Sequence, residues 1–257
     1  MIIWEYYYLK NNKKVYNMKI LFTLLSIGEK YSKSCTMLIQ ELLDNTPYDI
    51  LVSTDNVEYF PNYPKRVTIR QNIEKKAKIL YSGVEFNYNL KFHAFENIPE
   101  GYDIILYLDC DIKNNFWSKE GDNKLKASFN GHDFIACRLN CILKNELTQL
   151  NSTGNCLFKH KISSYKANEW EDKSLYESKL PSEHFFGFKY DKNKLTKFYK
   201  KWRELNYQLQ LVEEARSWGD GFEIGVAAFY AGYKNSFEFS YTDQQLLLGL
   251  EFNGNKL

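Results

Sequence analysis

Residues 102–111 read YDIILYLDCD, an unbroken apolar run from Ile104 to Leu108 that closes in two aspartates separated by one cysteine. No other segment constrains the fold as strongly. A run this apolar is a strand covered on both faces, and such strands belong to parallel sheets with helices packed on either side. In an open α/β sheet of that kind, ligands lie beyond the carboxyl ends of the strands. The two carboxylates fall there, and the two-residue period of a strand turns Asp109 and Asp111 to one side and Cys110 to the other.

The preceding sequence supports the same architecture. Residues 19–27 (KILFTLLSI) are almost uniformly apolar and predict a first buried strand. Cys35, Leu38, Ile39, Leu42 and Leu43 follow helical spacing, predicting an amphipathic helix over 31–45 that ends at Asn45-Thr46-Pro47. Residues 49–53 (DILVS) and 66–70 (RVTIR) predict two more strands, and 73–97 reads as helix-rich with a break near Ser82-Gly83. This βαβ alternation implies right-handed crossovers and a mostly parallel central sheet in one α/β domain. Downstream, 134–137, 185–189 and 236–241 predict strands. The spacing of Leu195, Phe198, Tyr199, Trp202, Leu205 and Leu209 predicts a long helix, and 220–231 a further one. Residues 119–133 and 160–182 are polar and irregular and read as loops.

Composition narrows the partners. Lys plus Arg is 34 against 32 for Asp plus Glu, a net +2, which lacks the cationic excess of a polybasic nucleic-acid binder. Hydrophobic residues at 44% supply enough apolar surface to offset chain entropy, so a disordered chain is excluded. Five cysteines (35, 110, 137, 141, 156) share no zinc-site spacing and read as free thiols of a reducing cytoplasm. No apolar run reaches the ~18–20 residues of a membrane span. The stretch MKILFTLLSIG from Met18 is similar to a secretory leader, but Glu29-Lys30-Tyr31 stands where small residues are required, and a buried first strand explains it better. Residues 1–17 read as an N-terminal extension, either an added edge segment or an arm.

Two carboxylates side by side repel each other and form an oxygen site for Mg2+ or Mn2+. A first βα unit, a strand closing in Asp55, and a hydrophobic strand ending in LDCD together resemble the GT-A nucleotide-sugar glycosyltransferases, over most of residues 18–240. The DxD at Asp109 and Asp111 is the sharp motif in that resemblance. The resemblance implies a GT-A, Rossmann-like domain over 18–257, with a nucleotide-binding half at 18–111 and an acceptor half at 134–240. It implies metal ligation by Asp111 with Asp109 as partner, and a nucleotide-sugar donor, UDP-sugar favoured. It further implies donor contacts from Thr23, Ser26, Asp55, Asn56 and Lys91.

The downstream motifs SEHFFGF (182–188) and WGDGFEIG (218–225) fall where the family places acceptor and catalytic groups. The resemblance makes Glu183, His184 and Trp218 acceptor-lining residues and Asp220 or Glu223 the general base of an inverting transfer. A retaining transfer would use the leaving phosphate instead. Asp220 and Glu223 also suit the cap and third position of a helix start. The family's C-terminal metal-binding histidine has no counterpart after residue 184, leaving water, the diphosphate or His184 to complete the site. His93, His132 and His160 read as structural. A glycan is the favoured acceptor. A modified DNA base is the alternative, to be marked by a basic groove at Lys159, Lys161 and Lys166. A haloacid-dehalogenase-type phosphatase, contradicted by Lys113 and by the late position of the motif, and a non-catalytic carbohydrate-binding domain are the competing classes.

Overall fold

The computed structural model describes residues 17–73, 79–81, 84–86, 88–137, 139–141, 179–182, 184–210 and 221–252. A central sheet of seven strands organises them: β1 (Ile20–Ser26), β2 (Asp49–Thr54), β3 (Val67–Gln71), β6 (Ile104–Leu108), β8 (Phe134–Ala136), β11 (Phe185–Lys189) and β12 (Ser236–Glu238). Their spatial order is β12-β8-β11-β6-β1-β2-β3. Each neighbouring pair is parallel except at β11, which runs antiparallel to β6 on one side and β8 on the other. The expected mostly parallel α/β sheet is therefore present, with one reversed strand that hydropathy does not reveal.

Both faces of the sheet are covered. On one, Leu21, Leu51, Ile105, Tyr107 and Phe186 pack under a 3-10 segment (Tyr88–Phe95) and helices α3 (Lys192–Gln210) and α4 (Gly221–Tyr230). On the other, Phe22, Leu24, Val52, Leu106 and Phe185 pack under α1 (Gly28–Asn45), α2 (Lys119–Ser128) and α5 (Tyr241–Leu248). Every residue of β6 is buried, as its composition demands.

Several expectations need correction. Residues 119–128 form α2, because Ser118 caps the helix by accepting from the Gly121 N–H at 2.9 Å while Glu120 and Asp122 oppose the positive end of the helix dipole. With few apolar positions, the segment hides its helix from a hydropathy reading. The region 73–97 is not α-helical where described. Short strands β4 (Ile79–Tyr81) and β5 (Val84–Phe86) pair with each other and the 3-10 segment follows, in keeping with their β-branched and aromatic content. Of the polar stretch 160–182, residues 179–181 form β10 (Lys179–Pro181), which pairs with β9 (Leu139–Cys141). The last predicted strand stops at Glu238, and Ser240 caps α5 by accepting from the Asp243 N–H. Beyond it, β13 (Leu250–Phe252) pairs with β7 (Ile112–Asn114). Helix α1 begins three residues earlier than predicted, at Gly28.

Cys35, Cys110 and Cys137 are buried and form no disulfide; Cys156 lies outside the described residues. Among the described residues no helix is long and apolar enough to cross a membrane.

Candidate functional site

The site grows out of the end of β6. Leu108 pairs with Phe185 in the antiparallel β6–β11 ladder, so the next step outward sets Asp109 opposite His184. The Asp109 N–H donates to the His184 carbonyl at 3.0 Å, continuing the ladder one residue past the strands. Because β11 runs backwards, its first residues, not its last, reach the ligand edge of the sheet. That reversal brings together two side chains 75 positions apart: His184 Nδ1 lies 2.9 Å from Asp109 Oδ2.

Asp109 is held from three directions. Its Oδ2 also accepts from Lys91 Nζ at 3.0 Å, and its Oδ1 from the Tyr107 hydroxyl at 2.7 Å. Burial alone would push this carboxyl up. The Lys91 ammonium, His184 and Tyr107 together outweigh it and hold the group down at about 2. Asp111 goes the other way: burial first, and then the negative charge of Asp109, raise its carboxyl above the usual range. Two carboxylates with opposed shifts at one strand end form a site with a standing repulsion that a further cation would relieve. Cys110 faces away, as the strand period requires, and its thiol donates to the Leu25 carbonyl at 2.8 Å.

Asp109, Asp111 and His184 can each present one ligand atom, and these atoms all lie within 4.8 Å of one another. Two carboxylate oxygens and an imidazole nitrogen form a donor set suited to Mn2+ or Mg2+, so the residues present fit the expected ion. The His184 side chain is 45% exposed, which leaves the cluster open to solvent on that side.

Lys91 sits in the 3-10 segment, not on an α-helix, and its side chain is only 6% exposed. A polar network fixes that segment to the ends of β2 and β3. The His93 carbonyl accepts from Ser53 Oγ at 2.9 Å, Arg70 Nη2 at 2.9 Å and Asn72 Nδ2 at 3.2 Å. His93 Nδ1 and Asn72 Nδ2 in turn reach Glu96 Oε2. His93, expected to be structural, is tied into this network, and His132 Nδ1 lies 2.8 Å from the Ser128 carbonyl oxygen; His160 lies outside the described residues.

Of the other expected donor residues, Ser26, Asp55 and Asn56 make their bonds around the start of α1 and the end of β2. Asp55 Oδ1 accepts from the Gly28 N–H at 3.0 Å and so holds the start of α1, while Asn56 caps the short 3-10 turn Val57–Tyr59. The Ser26 and Ser32 hydroxyls are 2.9 Å apart in the buried β1–α1 joint. Thr23 is fully buried inside the sheet with its hydroxyl directed at the Leu106 carbonyl, so the structure does not bring it to the ligand edge. Glu223 is buried in the first turn of α4. Glycines 221 and 225 let that helix lie directly on β10: a Cβ at either would stand 2.5 Å from the Pro181 or Lys179 carbonyl oxygen. Part of the WGDGFEIG motif is therefore a packing device. Glu183, Trp218 and Asp220 lie outside the described residues, as do Lys159, Lys161 and Lys166.

Tyr107 is the site residue that sequence reasoning passed over. The signal was available: it is the one polar side chain in the apolar run and shares Asp109's side of the strand.

No protein-family model matches the chain, and no curated protein matches it. Among solved structures, the chain is similar to an active-site mutant of LgtC at 12% identity, with 86% of this chain and 72% of that one covered and a TM-score of 0.45. It is also similar to the galactosyltransferase LgtC in complex with donor and acceptor sugar analogues, at 10% identity, 86% and 73% coverage and a TM-score of 0.45.

Proposed function

We propose that the protein is a metal-dependent glycosyltransferase of the GT-A type that moves a sugar from a nucleoside diphosphate, UDP favoured, to a hydroxyl of a glycan. The observation that carries this reading is the cluster of Asp109, Asp111 and His184 at the carboxyl end of the central strand, open to solvent through His184. Asp111 and His184 would hold Mn2+ or Mg2+ with Asp109 beside them. The ion, when bound, would supply positive charge for the diphosphate as its bond to the sugar breaks. Lys91 adds a cation from the inner side, and Tyr107 keeps Asp109 oriented.

Glu223 is the candidate base. Its helix rests on β10, which leads directly to the His184 turn, and Glu223 stands in the first turn of that helix. Asp220, Glu183 and Trp218 complete the acceptor side in this reading, and Ser26, Asp55 and Asn56 the donor side. The buried free thiols suit a reducing compartment such as the cytoplasm.

A thermal-shift panel of UDP-, GDP-, CMP- and dTDP-sugars with and without Mn2+ tests the reading. One nucleotide sugar should raise the melting temperature only when Mn2+ is present. Stabilisation by none of them, with or without metal, would sink the proposal. With the donor in hand, Glu223→Gln should lower turnover on the order of 10²–10⁴-fold at little cost in stability. Turnover near wild type would remove Glu223 as the base.

A further inference from the structure

The acidic cluster already contains a cation. Lys91 Nζ lies 3.0 Å from Asp109 Oδ2, and the two side chains are 6% and 13% exposed. An ammonium this deeply buried persists only with a charged partner, since removing one member of such a pair strands the other. The oxygen that receives Lys91 is also the one 2.9 Å from His184, which with Asp109 and Asp111 makes up the cluster that fits a divalent ion. A divalent cation and an ammonium against a single carboxylate oxygen repel each other, and the burial of the Lys91 and Asp109 side chains leaves that repulsion poorly screened. Two residues on, the His93 carbonyl accepts from Ser53, Arg70 and Asn72, which ties the 3-10 segment carrying Lys91 to the ends of β2 and β3, so an exchange of partners falls to the lysine side chain.

Resting on the glycosyltransferase reading, we infer that Lys91 is the resident cation of the site, which occupies Asp109 in the absence of ligands and exchanges partners when metal and diphosphate arrive together. Asp109 passes to the ion, and the freed ammonium passes to a phosphate oxygen. No bond is made or broken in this exchange; two ion pairs replace one. The diphosphate therefore does more than add oxygen ligands to the metal. It gives Lys91 somewhere to go, and so couples metal binding to donor binding. In the absence of donor the lysine keeps the site from loading an ion.

The test is Mn2+ binding followed by the electron paramagnetic resonance of the free ion, without nucleotide and then with UDP. Wild type should bind Mn2+ weakly alone. Lys91→Gln removes the competing charge and should bind Mn2+ alone about tenfold tighter or more, and the further tightening produced by UDP should shrink. This gain of affinity is the opposite of what a damaged scaffold would give. Mn2+ affinity in Lys91→Gln that is equal to or below wild type, including no binding by either, overturns the inference. Should Lys91→Gln fail to fold, Lys91→Arg decides: its guanidinium forks onto the carboxylate and is harder to displace. Mn2+ alone should then bind several-fold more weakly than to wild type, and unchanged affinity would count against the exchange. The two readings fail separately. If UDP tightens Mn2+ on wild type but Lys91→Gln shows no gain, only the exchange is lost. If none of the nucleotide sugars of the panel binds, with metal or without, the glycosyltransferase reading falls first.

Discussion

Among the described residues, two buried lysine–aspartate–tyrosine clusters stand one on each face of the sheet, and they are closely matched. In the first, Lys91 and Tyr107 hold Asp109. In the second, Lys126 Nζ lies 2.8 Å from Asp122 Oδ2, and Asp122 Oδ1 accepts from the Tyr48 hydroxyl and from the Trp117 indole N–H. Both lysine side chains are 6% exposed, and the aspartates are 13% and 16% exposed. Burial and ion pairing therefore do not distinguish the two clusters. What differs is the fourth partner. Asp122 receives an indole locked edge-on against Phe22 and Tyr48, with its lysine four residues along the same helix. Asp109 receives a half-exposed imidazole from a distant strand and has a second carboxylate two residues away. The second cluster is closed and local. The first is open, joins three elements and holds a second carboxylate beside the paired one.

The sharpest way to break this contrast is to remove one charge from each cluster. Asp111→Asn should lower sugar transfer on the order of 10²-fold or more, while leaving the melting temperature unchanged or slightly raised, because burial and the charge of Asp109 both oppose its ionisation. Asp122→Asn should leave transfer intact and cost about 3 kcal/mol by stranding the buried Lys126. Denaturant melts and transfer rates for both variants check this. Equal loss of activity in the two would erase the distinction.

A second test uses acid. The Asp109 carboxyl is lowered from 3.8 to about 2 by Lys91, His184 and Tyr107 acting against burial. A depressed folded-state value means that its stabilisation is complete above about pH 4 and is lost as the pH falls towards 2. Wild-type stability should therefore decline across that window, and Asp109→Asn should flatten the decline in urea melts taken at stepped pH. An unchanged slope would show that Asp109 is not held as described.

The smallest effect is expected from the tyrosines. Tyr107→Phe and Tyr48→Phe each delete one hydrogen bond to a carboxylate, worth about 2 kcal/mol. The Tyr48 hydroxyl is kept from ionising by burial and then by Asp122, so its replacement should change stability alone. Tyr107→Phe should in addition weaken Mn2+ binding in the presence of the donor, because Asp109 loses its orientation. A metal affinity that responds equally to both substitutions would contradict the division of roles.

Strands β1, β2 and β6, the helix between the first two, and the edge of the sheet where the carboxylates stand were legible in the residues themselves. The runs at β1, β2 and β6 are apolar enough to demand burial on both faces, and the helix between the first two has its apolar positions at helical spacing. The aspartates at the end of β6 follow from the same reading, because a strand's period and its polar terminus are properties of adjacent residues. Helix α2 was hidden because its stability comes from a serine cap and first-turn acids more than from an apolar stripe. The site as a constellation was not legible. Lys91, Asp109 and His184 meet only because β11 runs antiparallel to its neighbours and because a polar network anchors the 3-10 segment to the ends of β2 and β3. Strand direction is set by how the chain returns across the sheet, and hydrogen bonds between distant elements leave no periodic trace. The sequence by itself determined where carboxylates would stand. Only the tertiary structure decided which cation and which imidazole would face them.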